Sequence, residues 1–163
     1  MKKLYLVRHA KSSWDNNSLS DIERPLSRRG LKNAPDMASR LYSSGVILDL
    51  IISSPAGRAI STAQILASSI GYDIKAIQQQ QQLYFRGVDS MLDIIKKTHS
   101  SVQSLMLVGH NPDMTSLFNK LCGYQTENMP TCAVACIHFD DNWQNVRFNS
   151  GRVFNYSYPK KQQ

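Results

Sequence analysis

Two histidines and two arginines stand where short apolar runs give way to polar, helix-starting sequence. The three places are Arg8-His9, Ser53-Ser54-Pro55 with Arg58 shortly after, and Gly109-His110-Asn111-Pro112. An arginine can fork two parallel hydrogen bonds onto phosphate oxygens. Its positive field also disfavours imidazolium, so a neighbouring histidine stays neutral with a nucleophilic ring nitrogen. Together these residue types suit phosphoryl transfer to a histidine. A single His or Arg at a strand end is more often explained by packing, but four at three equivalent junctions are not. Metal binding is the rival use of two histidines. The best-placed carboxylates, Asp15, Asp21 and Glu23, fall in one loop, and arginines beside the ligands would oppose a cation. His99, near a helix end, and His138, within an edge strand, are expected to have capping or surface roles.

The elements that must position these residues alternate. Lys3–Arg8, Asp49–Ser53 and Ser104–Val108 are short apolar runs expected as buried strands, with Tyr72–Ile77 a weaker one. Residues 10–26 carry Pro25 and no period, so a long loop is expected. Ser27 can cap a helix to about Ser43, in which Pro35 implies a kink or break. Pro55 fits the first position of a helix ending near Ile70. Asp89–Thr98 is helical, with Leu92, Ile95 and Met91 toward one face, and Asn111-Pro112 opens a helix ending near Cys122. Ala133–Phe139 and Val146–Phe148 are expected as strands, with Arg152–Tyr158 a third. The glutamines at 78–82 suggest a loop or the margin of an element. This order predicts an α/β fold: a mostly parallel central sheet, helices on both faces and an antiparallel C-terminal edge. Ligands of such sheets bind at the carboxyl ends of the strands, where all three junctions lie.

These residues carry a resemblance. Leu6-Val7-Arg8-His9-Ala10-Lys11-Ser12 resembles the opening Arg-His-Gly motif of the histidine phosphatase superfamily. Ser53-Ser54-Pro55-Ala56-Gly57-Arg58-Ala59, then Thr62-Ala63, resembles its second motif, and Val108-Gly109-His110-Asn111-Pro112 its third. Within that superfamily the chain is most similar to the SixA-like phosphohistidine phosphatases. The His9-Ala10-Lys11-Ser12-Ser13-Trp14 segment has their form. So does Arg24-Pro25-Leu26-Ser27 followed by Arg29-Gly30, and so does the stretch from Thr131 to Asp140. The resemblance implies a phosphoglycerate mutase-like fold without a large lid insertion. It implies His9 as nucleophile, with Arg8, Arg58 and His110 completing a phosphate pocket and Arg24 as a further phosphate-binding cation. No metal or organic cofactor is implied.

Two departures bear on substrate. Asp15 stands where mutase-type members place an Asn that touches phosphate, so it is expected to point away. No Glu or Asp occupies the mutase-type general-acid position around Leu83-Tyr84-Phe85, which leaves Asp21 as the remaining candidate acid or water-orienting residue. Expelling an alkoxide, whose conjugate acid has a pKa of roughly 16, requires a proton from the enzyme. The imidazole of phosphohistidine, with a reference pKa of about 6.5, can leave with little help. Phosphohistidine, or another substrate with a good leaving group, is therefore better suited, and the resemblance implies that the phosphohistidine is carried by a histidine phosphotransfer domain of a signalling protein. A small phosphorylated metabolite, and hence a small-molecule phosphomonoesterase, is the alternative. A non-catalytic phosphate- or nucleic-acid-binding module is a remote third reading.

Composition bounds the rest. The 163 residues fit one domain, with 42% hydrophobic and 19% charged residues, which argues against disorder. No apolar run reaches membrane-span length, and Leu4–Val7 is too short for a signal-peptide core. Three cysteines have no paired spacing, so a reducing cytoplasm is expected. The net charge of +7 invites an anionic partner. The basic residues are scattered and not interleaved with aromatics, which argues against nucleic acid. Neither a membrane nor a nucleic-acid partner is expected, and a monomer is the simplest state.

Overall fold

The computed structural model describes residues 1–161. Six strands form one sheet in the order β3-β2-β4-β1-β5-β6. These are β1 (Lys2–Arg8), β2 (Leu50–Ser53), β3 (Gln78–Gln79), β4 (Ser104–Gly109), β5 (Val134–Phe139) and β6 (Arg152–Ser157). β3, β2, β4 and β1 are mutually parallel; β5 runs antiparallel to β1, and β6 antiparallel to β5. The helices are α1 (Arg28–Ser43), α2 (Gly57–Ser69), α3 (Val88–Lys97) and α4 (Asp113–Cys122).

The central strands read as unbroken apolar runs because both of their faces are covered. In β1, Leu4 and Leu6 join the side chains of α3 and α4, among them Ile95 and Phe118. Tyr5 and Val7, pointing the other way, join those of α1 and α2, among them Met37 and Leu66. Arg8 pairs in register with Gly109, and Ser53 with Val108. The carboxyl ends of β1, β2 and β4 therefore finish at one level, and the loop after each starts from one edge.

Four local expectations change. Pro35 does not break α1, which is continuous across it. The carbonyl left without its helical donor belongs to Leu31, whose side chain is 56% exposed, so it lies on the face that water can reach. Pro55 lies just outside α2, which begins at Gly57. Tyr72–Ile77 is not a strand: the Asp73 carboxylate accepts from Lys75 N at 3.0 Å and caps a 3-10 turn over Ile74–Ala76. The strand falls instead on Gln78–Gln79, beside Ile52 and Ser53. Val146–Phe148 is not a strand either. Trp143–Asn145 forms a 3-10 turn that drives Trp143 and Val146 into the core, and Ser150 Oγ, donating to Arg147 O at 2.5 Å, closes the next turn. The partner of β5 is β6 alone on that side.

Candidate functional site

The loop after β1 is fixed from three sides. Ala10 N donates to Thr62 Oγ1 at 3.0 Å, and Thr62 Oγ1 donates in turn to Arg58 O at 2.8 Å, tying the loop to the first turns of α2. Cys132 N, with positive φ, donates to the carbonyls of Arg8 and His9 at 3.0 and 3.1 Å. Gly30, in the first turn of α1, lies so close beneath Lys11 that an added Cβ would sit 2.2 Å from the Lys11 carbonyl oxygen. Only glycine permits that approach, which accounts for the Arg29-Gly30 pair. Ser27 caps the same helix, accepting from Gly30 N at 3.1 Å.

These anchors set the orientation of His9. Its Nδ1 lies 2.7 Å from the Ala10 carbonyl, which can only accept, so Nδ1 carries the proton and Nε2 the lone pair. The His110 ring centre is 5.0 Å away. Burial lowers the His9 pKa to about 4; the Ala10 carbonyl opposes this, and the guanidiniums of Arg58, Arg8 and Arg24 add to it. His110 is pushed down to about 3 by burial first, then by His9 and Arg58. Both rings are neutral at ordinary pH. His110 Nε2 pairs with Ser54 Oγ at 2.8 Å and Phe85 stacks on the ring at 4.6 Å, but the buried Nδ1 meets no partner. Arg8 shares this state: Nη1 donates to Met129 O at 2.8 Å, while its buried Nε is unpaired. A buried donor or acceptor without a partner costs about 1–3 kcal/mol, and two such atoms among the described residues of one cluster suit the binding of a polar ligand.

Arg58 and Arg24 meet on Asp21, the first residue of a 3-10 turn (Asp21–Glu23). Arg58 donates to Asp21 O at 2.7 Å and to Oδ2 at 3.0 Å; Arg24 donates to Oδ1 at 2.8 Å. Arg24 also donates to Ser13 O at 3.0 Å and to Ser12 Oγ, and lies over the Trp14 ring. Tyr84 Oη donates to Asp21 Oδ2 at 2.5 Å. Partial burial pushes the Asp21 carboxyl up, but the bonds from Tyr84, Arg58 and Arg24 outweigh it and hold the pKa at about 2.

The structure thus brings His9, His110, Arg8, Arg58, Arg24 and Asp21 together at the carboxyl ends of β1, β2 and β4. Asp15 is exposed. His99 is exposed and bonds Ser101, and His138 lies in β5, away from the cluster. Sequence reasoning missed the contribution of Tyr84 and Phe85. Their signal was faint: two adjacent aromatics after a polar run, with Phe85 at a positive φ of 55°.

Comparison with known proteins agrees with this geometry. The family model of the histidine phosphatase superfamily (branch 1) matches residues 4–85. An uncharacterized chloroplastic protein of Arabidopsis thaliana is 29% identical over 164 residues, covering 92% of this chain and 72% of its own length. SixA from Agrobacterium tumefaciens superposes with a TM-score of 0.82 at 27% identity, covering 97% of this chain and 98% of that one. A protein histidine phosphatase SixA complexed with tungstate shares the fold at a TM-score of 0.82 and 22% identity, covering 96% and 97%. With the motifs, the sheet order and the family model in agreement, the chain belongs to the histidine phosphatase superfamily and is SixA-like within it.

Proposed function

We propose that this protein is a phosphohistidine phosphatase in which His9 is the nucleophile. The observation that carries the reading is the His9 tautomer: a neutral ring with Nδ1 bound to the Ala10 carbonyl and the lone pair on Nε2, in the field of three guanidiniums. His9 Nε2 attacks phosphorus, forming an N–P bond as the substrate P–N bond breaks. The electron pair of the broken bond leaves with the substrate imidazole, which departs neutral when its other nitrogen carries a proton. Arg8, Arg58 and His110 hold the equatorial oxygens. Water then attacks phosphorus, freeing orthophosphate and returning the electron pair to His9. The whole chain acts as one domain in this reading, on a phosphotransfer domain as substrate.

The state of Asp21 supports that substrate class. A carboxylate held near 2 by two arginines and a tyrosine has no proton to give an alkoxide at neutral pH. The other role open to Asp21, orienting the attacking water, needs the ionised form. Substrates with good leaving groups are favoured.

The test compares kcat/KM for a phosphorylated phosphotransfer domain, an aryl phosphate and a sugar phosphate under one set of conditions. Phosphohistidine and the aryl phosphate should exceed the sugar phosphate by at least the ~10²–10⁴-fold that a positioned acid normally contributes. Equal values across the three would replace this reading with a small-molecule phosphomonoesterase.

A further inference from the structure

We infer that Asp21 is a fixed counter-charge which sets the anion affinity of the pocket, keeping orthophosphate from being held too tightly; the inference rests on the phosphatase reading above. The guanidiniums of Arg58, Arg8 and Arg24 all act on His9. Arg58 and Arg24 are buried, with side chains 3% and 8% exposed, and Asp21 is the carboxylate that pairs with both among the described residues. Arg8 pairs with the carbonyl of Met129 instead of an acid. The two histidines being neutral, three cations against one carboxylate leave two positive charges. That matches one phosphoryl dianion.

The carboxylate has little freedom to leave. Its two oxygens take three side-chain donors, from Arg24, Arg58 and Tyr84, while Arg58 also grips the Asp21 carbonyl. Arg58 is not used up by this grip: two of its five N–H groups point at Asp21 and the guanidinium also faces the Tyr84 hydroxyl, which leaves the remainder for a ligand. A phosphate therefore binds beside Asp21 rather than in its place, and the two anions share one guanidinium.

Two effects of the carboxylate oppose each other. Bracing Arg58 favours phosphate binding through preorganisation. Like-charge repulsion between the carboxylate, whose side chain is 45% exposed, and a phosphate on the shared guanidinium disfavours it. The bracing comes largely from bonds that a neutral isostere keeps in part, because an amide oxygen still accepts from arginine. The repulsion comes from the charge, which an isostere removes entirely. The charge effect wins, so neutralising Asp21 tightens phosphate binding. An ordinary structural salt bridge predicts the opposite sign, since its loss loosens Arg58.

The experiment titrates inorganic phosphate into wild type, Asp21→Asn and Asp21→Glu by calorimetry. The Kd should fall at least about tenfold in Asp21→Asn and return toward the wild-type value in Asp21→Glu. If Asp21→Asn does not fold, Asp21→Ser gives the same reading with a smaller side chain. A Kd that is unchanged or weaker in the neutral variants overturns the counter-charge. Turnover is not needed for this measurement. Wild type that binds phosphate but never forms a base-stable phosphoenzyme sinks the hydrolase reading and leaves the binding result standing.

Discussion

His110 and His138 share most of the features by which a histidine attracts notice. Each stacks on a phenylalanine, Phe85 at 4.6 Å and Phe154 at 4.3 Å. Each has a buried ring nitrogen without a partner, and burial lowers the pKa of each. Each has cations nearby: His138 pairs across the sheet with Lys3 and Arg152. His138 even lines a cavity of about 710 Å³, with Tyr5, Met37 and Cys136. The differences lie elsewhere. His110 directly follows a parallel strand, with a second imidazole 5.0 Å away, and Arg8 and Arg58 act on both rings. His138 sits mid-strand with no second imidazole stacked on it among the described residues, and the Arg152 beside it is paired with Asp140 at 3.0 Å. Desolvation and stacking are general properties of imidazoles withdrawn from water, whether fully or partly. Convergence of a second ring and free guanidinium edges at one sheet edge is what separates the two regions.

The sharpest way to break that comparison is to delete the rings. His9→Ala should abolish turnover and the phosphoenzyme, because the Nε2 lone pair assigned to attack phosphorus goes with the ring. His138→Ala should leave kcat/KM within about twofold, as surface substitutions away from a site generally do. Rapid mixing with a phosphorylated substrate and an alkaline quench reads both. Near-wild-type turnover in His9→Ala, or its loss in His138→Ala, would erase the distinction.

The arginines give the next largest effect. Arg58→Ala should lose about 10²–10³ in kcat, the scale for one preorganised charge-stabilising donor. Arg152→Ala, removing an exposed ion pair with Asp140, should change kcat less than about twofold. Equal losses would mean that long-range charge, not placement at the strand ends, does the work. Steady-state kinetics at two ionic strengths separates these outcomes, since only the long-range effect is strongly screened.

That contrast also explains what was legible in the sequence. Arg8, His9, Arg58 and His110 lie within a few residues of strong strand signals, and the carboxyl-end rule for parallel sheets is enough to bring them together. Gly30 and Ser27 at the start of α1 and Thr62 inside α2 act on the same loop; their residue types were visible and their contacts were not. Tyr84 and Phe85 follow a 3-10 turn over Gln81–Leu83, an element without a repeating period. Their approach to Asp21 and His110 depends on how residues 74–87 cross the sheet edge, a tertiary outcome. Tyr72–Ile77 and Val146–Phe148 failed for a related reason. Both have the composition of strands, but Asp73 caps one into a turn, and core packing of Trp143 and Val146 bends the chain before the other.

The smallest expected effect lies in the pH dependence of stability. His9 and His110 are buried, with folded pKa values near 4 and 3. In the unfolded chain both return to about 6.5. Between about pH 6.5 and 4 the unfolded state therefore binds protons that the folded state refuses, so stability falls as pH falls through that window. Each ring contributes a slope of at most about 1.4 kcal/mol per pH unit. Asp21 acts in the same direction but lower down: its depressed pKa gives stability that is lost between about pH 4 and 2, outside a measurement made from pH 4.5 to 6.5. Urea unfolding across that range should give a shallower slope for His110→Gln than for wild type. His138→Gln should stay close to wild type, because the residue is less buried than His110 and its pKa is lowered with no second imidazole acting on it. The same slope in all three proteins would mean that His110 titrates as His138 does, and that burial at the strand ends does not hold its ring neutral.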